Sequence, residues 1–127
     1  MPVDDISFTD IQFDAQRGAT IREASHIEFH NVRINTKEGS SLVAENVKGI
    51  VIDALQTMTP HASAPTISVN NVQDVFIYNC NVDQPTPVFL QVRGKRSRNI
   101  VFGSNNLSNA QKTVVKEDDV TAEIKID

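Results

Sequence analysis

The sequence predicts an all-β chain, a right-handed parallel β-helix of about five turns. Three observations predict it. In the stretch 66–82 the apolar residues fall at Ile67, Val69, Val72, Val75, Ile77, Cys80 and Val82, a fixed mixture of steps of two and steps of three. The same spacing recurs without a gap at Ala19, Ile21, Ala24, Ile27, Phe29, Val32 and Ile34, and again at Leu42, Ala44, Val47, Ile50, Ile52, Leu55 and Thr57. The connections between these copies vary in length, and the copies do not. A step of two points alternate side chains of a strand to one side. A step of three fits neither a strand nor a helix, and marks a tight corner between short strands that share one interior. Three short strands per turn account for every apolar position, with successive turns pairing at about 4.8 Å.

Taken in order, the chain opens with half a copy, Ile6, Phe8, Ile11 and Phe13, followed by the three full copies. A fourth is looser: Leu90 and Val92, two extra residues, then Ile100, Phe102, Asn105 and Leu107. The tail offers Val114, Val115, Ile124 and Ile126. Equivalent positions are expected at Phe8, Phe29, Ile52, Ile77, Phe102 and Ile124, steps of 21, 23, 25, 25 and 22. A leucine-rich repeat would need regularly placed Leu and Asn, and a helix in each repeat would need longer periodic connections. Between the second and third strands lie Thr9-Asp10, His30-Asn31, Asp53-Ala54, Tyr78-Asn79 and Gly103-Ser104. A two-residue corner needs one residue near the left-handed region; Asp10, Asn31 and Asn79 suit it, Ala54 and Ser104 less well. Stacked amides at these corners can form a short ladder, or the Asn residues are there simply as turn formers. The connections 35–41, 58–66, 83–89 and 108–113 hold Gly39, Pro60, Pro65, Pro85 and Pro87, and in a solenoid such loops are where function resides. Glu117-Asp118-Asp119 reads as a solvated turn.

At 127 residues this is one domain with room for a core, and with 6% aromatic residues and no Trp that core is aliphatic with some Phe. A net charge of −4 speaks against a nucleic-acid partner. No stretch approaches the ~20 apolar residues of a membrane span. The opening MPVDDISF has neither the basic nor the apolar segment of a secretion signal. The lone Cys80 excludes an internal disulfide; it points inward as a small hydrophobe. No cluster with metal-ligand spacing stands in the sequence, and no cofactor is implied. The first recognisable turn is only half a turn, so end-to-end contact with further β-helix turns, or with another chain, is expected there.

The patterns TISVNNVQDVFIYNCNV and ATIREASHIEFHNVRI resemble the turns of pectin-active, pectin lyase-like β-helix proteins. More narrowly, they are similar to the C-terminal part of glycoside hydrolase family 28, the polygalacturonase-like enzymes. The resemblance implies carboxylic-acid catalysis of glycoside hydrolysis on a pectic, uronate-bearing polysaccharide, and a secreted or periplasmic protein. The family's motifs are Asn-Thr-Asp, Asp-Asp, Gly-His-Gly and Arg-x-Lys. Here Asn35-Thr36 is followed by Lys37, Asp4-Asp5 and Asp118-Asp119 lie at the two ends, and no Gly flanks His26, His30 or His61. Arg93-Gly94-Lys95 alone matches. The resemblance therefore implies a portion of the family's scaffold, C-terminal in a longer β-helix, without its catalytic residues. The other reading is a non-catalytic β-helix for carbohydrate binding or assembly.

Two groups of residues are candidates for ligand binding. The period places His30, Asp53 and Tyr78 in one outward column, with Glu28 one strand position away. A His beside an Asp can act as a base and two acids as a pair; equally, outward polar residues of a solenoid stack as ordinary surface. Arg93, Lys95, Arg96 and Arg98 set four positive charges on one loop, which suits an anionic sugar or is simply solvated. Phe76, Phe89 and Tyr78 point outward in this register, as sugar-stacking faces or covered by loops or a partner. His26, beside a corner, reads as structural, and Asn106-Leu107-Ser108 is formally a glycosylation sequon.

Overall fold

A computed structural model describes residues 3–37, 39–57, 64–82, 86–117, 119–120 and 124–126. Among these residues the protein is a parallel β-solenoid of about five turns, with no helix. Its strands are β1 (Val3–Ala15), β2 (Ala19–Thr36), β3 (Leu42–Thr57), β4 (Ile67–Tyr78), β5 (Asn81–Val82), β6 (Thr86–Arg93), β7 (Arg98–Gly103), β8 (Ala110–Lys116) and β9 (Ile124–Ile126). Every pairing between them is parallel. β1 pairs with β2, β2 with β3, and β3 with β4 and β5; β4 continues to β6 and β7, which pair with β8 and β9.

The three gapless copies lie in register. Ile27 pairs with Ile50 and Ile50 with Val75; Phe29 pairs with Ile52 and Ile52 with Ile77. All of these side chains are buried. Each buried Ile, Val, Leu or Phe contributes roughly 1.5–3 kcal/mol, which is how short turns hold together without a second layer. Cys80 faces inward at 1% exposure, and burial pushes its thiol up to about 12.

Each step of three in the sequence is a left-handed backbone kink. In β2 the kinks are Glu23, His26 and Asn31, each just before an inward residue, and the ladder skips them. A residue at positive φ turns the chain while the side chains on both sides of it stay directed at the core. Among the described residues twelve non-glycine positions take φ between 50° and 59°, and nine of them are Asn, Asp or His, which tolerate that region best. The corner column foreseen at Asp10, Asn31 and Asn79 also holds Ala54 and Ser104 in this conformation. Two more columns bend in the same way: Asp5, His26, Asp74 and Asn99, with Gly49 opposite His26, and Glu23, Asn46 and Asn71. The strands thus run through their corners, and β2 is one ribbon of 18 residues rather than three separate strands.

In place of the stacked amides expected at the corners, single rungs form in which an Asn donates to a carboxylate of the preceding turn. Asn31 Nδ2 donates to Asp10 Oδ1 at 2.6 Å, Asn46 to Glu23 at 2.7 Å, and Asn99 to Asp74 at 2.7 Å. Ala54, which has no amide, interrupts the column containing Asn31 and Asn79, and Asn79 reaches Asp53 instead, at 3.2 Å.

Two register expectations are corrected. Phe89 does not point outward; it is 1% exposed, beside the equally buried Leu90. Strict alternation fails at this point of β6, where consecutive residues both enter the core. Ile126, not Ile124, pairs with Phe102, and Ile124 pairs with Ile100, because the last connection is two residues longer than the spacing of isolated apolar residues suggested. At the other end the core is open. Phe13 is 38% exposed, and Ile6, Phe8 and Ile11 are half-buried. The rings of Phe8 and Phe29 stack with centroids 5.1 Å apart.

Candidate functional site

The register places His30 beside Thr9 of β1 and Asp53 of β3, and Asp53 beside Tyr78 of β4. One residue of each copy therefore contributes to a single outward column beside a kink. The imidazole of His30 is gripped at both nitrogens. Nε2 lies 3.0 Å from Glu28 Oε1 on the same strand, and Nδ1 lies 3.3 Å from Asp53 Oδ2 one turn on. Asp53 also accepts from Asn79, so the chain His30–Asp53–Asn79 spans three turns. The contact with Glu28, and then that with Asp53, raises the pKa of His30 above the ordinary histidine value. Tyr78 is exposed at the edge of this column, and Phe76, two residues earlier on the same face of β4, is 42% exposed.

This geometry bears on what the column can do. A glycosidase holds its two carboxyl groups apart across a substrate gap. Here Glu28 and Asp53 face opposite nitrogens of one imidazole ring, which fills the space between them. In this geometry the ring, held by hydrogen bonds on both sides, stands between the two acids.

The basic loop is more ordered than a run of charges suggests. Gly94 takes φ +95°, and a β-carbon there would lie 2.2 Å from Asn71 Oδ1. Ser97 is buried, donates to the Arg93 carbonyl at 2.8 Å and accepts from the Val72 amide at 3.2 Å. The loop is thus pinned to turn four, with Arg93, Lys95, Arg96 and Arg98 exposed. The Arg98 guanidinium donates to Gln73 at 3.2 Å. Arg96 lines a groove of about 460 Å³ with Lys48, Gln73, Asn46, Asn71 and Glu23. The two candidate groups do not form one site. The Arg loop lies across the kink between the first and second strand segments, whereas His30, Asp53 and Tyr78 flank the kink between the second and third.

The sequence reading missed two groupings. Lys48 joins Arg96 in the groove because its column continues through Gln73 to Arg98. Asp4, Asp5 and His26 gather so that one ligand atom from each lies within 4.8 Å of the others, where no metal-ligand cluster was expected. His26 Nδ1 is 2.9 Å from Asp4 Oδ1, a contact that raises the histidine pKa and lowers that of Asp4, which also accepts from Ser25. All three are exposed. The step of 21 between Phe8 and Phe29, applied to these residues, was the available signal. His61 lies outside the described residues.

Comparison with protein-family models, with curated proteins and with solved structures finds no match for this chain.

Proposed function

We propose that this chain is the scaffold portion of a polygalacturonase-like glycoside hydrolase acting on pectic, uronate-bearing polysaccharide, with the catalytic carboxylates held by further turns stacked against β1. The observation that carries this reading is the open floor of the solenoid. The inward residues of β1 are apolar yet half-buried or exposed, Phe13 most of all, and β1 pairs with β2 alone among the described strands. An apolar floor with a free strand edge is a surface built for another turn. The clamped geometry of Glu28, His30 and Asp53 supports placing the chemistry elsewhere. The Arg93-Gly94-Lys95 match and the exposed cations of its loop support an anionic polymer as the substrate class.

The exposed pair Phe76 and Tyr78 favours a second reading, a non-catalytic module that stacks sugars on its outer face. Assays on polygalacturonate and rhamnogalacturonan separate the two. This chain by itself is expected to give no reducing ends, and a parent chain bearing upstream turns is expected to give them. Turnover by the isolated chain overturns the assignment of the catalytic groups to other turns. An inactive parent that still retains polysaccharide on an affinity gel points to the second reading.

A further inference from the structure

We propose that His30 is a proton-operated staple between the second and third turns, closed when the imidazole carries two protons and open when it carries one. Both ring nitrogens of His30 face carboxylate oxygens, Nε2 towards Glu28 at 3.0 Å and Nδ1 towards Asp53 at 3.3 Å. A carboxylate only accepts, so both contacts are hydrogen bonds only if both nitrogens carry hydrogen. A neutral imidazole has a single N–H and must turn a lone pair towards one of the two acids. The shorter contact, to Glu28, lies within one strand, and the longer, to Asp53, crosses between turns. Loss of the proton therefore leaves the inter-turn contact as lone pair against carboxylate, and the staple opens there.

The surroundings reinforce the two-proton state. The charges acting on His30 are those of Glu28 on its own strand and Asp53 on β3. Its neighbour on β1 is the neutral Thr9, and beyond Asp53 stands Tyr78 on β4. The ring is about one-third exposed, so protons exchange freely with solvent. His26 differs: Asp4, its close partner, meets Nδ1 alone, and a neutral ring with the proton on Nδ1 keeps that bond. Asp5 stands at 3.7 Å from the same nitrogen, and Lys48 on β3 opposes the extra proton. Of the two described histidines, His30 is thus the one whose inter-turn contact depends on its charge. Opening frees one oxygen of Asp53 while the other still holds Asn79, so the third-turn corner can shift relative to the second. This inference does not rest on the substrate assignment, and it holds or fails whatever the polysaccharide assays show.

The sign follows from linkage. A histidine whose pKa is raised in the folded state adds stability that is complete below the unfolded value near 6.5 and is lost as pH rises through the folded value. The test compares the full chain with His30→Gln and Asp53→Asn, by thermal melts at pH 6 and pH 8.5 and by NMR titration of the His30 ring. The wild type should lose about 2–4 °C more than His30→Gln between the two pH values. The His30 ring should titrate above the ordinary value, and Asp53→Asn should bring it down. Equal pH dependence in wild type and His30→Gln overturns the proposal, as does a His30 ring that titrates at or below 6.5. If His30→Gln fails to fold, the wild-type titration decides alone.

Discussion

A left-handed backbone costs a residue with a β-carbon about 1–2 kcal/mol, and this protein accepts that cost at most of its described corners, with glycine at Gly49 as an exception. Where the corner residue is Asn, the amide offsets the cost with a hydrogen bond to a neighbouring turn, as Asn31 does with Asp10. Ala54 has the same conformation, at φ 59°, and no such bond. Ala54→Gly is therefore expected to stabilise the protein by about 0.5–1 kcal/mol, the relief at φ > 0 exceeding the added freedom of the unfolded chain. Urea denaturation checks this; a midpoint that stays put or falls would show that the corner is not strained at 54. The corners at Asp10, Asn31 and Asn79 were legible in the sequence because their chemistry matches the backbone they need. Those at Ala54 and Ser104 were legible from the period but not from their chemistry, because their conformation is imposed by the turns on either side. The His30–Asp53–Tyr78 column was likewise legible from the period alone. The grip of Glu28 on the far ring nitrogen was not, since it depends on a rotamer rather than on spacing.

Elements here are ribbons held at their links as much as along their ladders. Between β1 and β2, Gly18 lies against the next connection, where an added β-carbon would sit 2.1 Å from the Ser41 carbonyl oxygen and 2.5 Å from that of Ser40. Ala19 donates its amide to the same Ser41 oxygen at 2.9 Å. Backbone cannot yield as a side-chain tip can, so Gly18→Ala should destabilise the protein by about 3 kcal/mol, at the upper end for overpacking. Gly39→Ala is the control: no atom lies within 4 Å of its added carbon, although its φ of +76° still makes the change slightly unfavourable. Thermal melts of the pair test this, and a Gly18→Ala no worse than Gly39→Ala would mean that the link moves freely. Legibility at this scale followed regularity. β2, β3 and β4 were readable from three identical spacings, whereas β6 was misread at Phe89 because a ribbon that takes two consecutive residues inward breaks the period-two rule used to read it. The half copy in β1 concealed the meeting of Asp4 and Asp5 with His26.

At the scale of the molecule, most contacts among the described residues join neighbouring turns, so no turn keeps its core without its neighbours. Cys80 reports on this. Its thiol is 1% exposed and pushed up to about 12, so at pH 8 it is both covered and protonated. Thiol reagents should therefore label the native protein at the rate of its opening, and Gly18→Ala, far from Cys80 in sequence, should speed labelling while Ala54→Gly slows it. Immediate labelling of the folded wild type would place Cys80 in a region that opens by itself. The amide–carboxylate rungs carry one more consequence. In the five that an asparagine donates, Asn31 to Asp10, Asn35 to Asp14, Asn46 to Glu23, Asn79 to Asp53 and Asn99 to Asp74, the donor comes later in the chain than the acid, whereas Gln91 donates the other way, to Glu117. The turns joined by asparagine rungs therefore have a chemical direction along the axis, and β1 forms an acidic rim of Asp4, Asp5, Asp10 and Asp14. Two copies brought rim to rim would oppose carboxylate with carboxylate, so charge disfavours twofold end-on pairing through this face and favours a neighbour that brings donors to the rim.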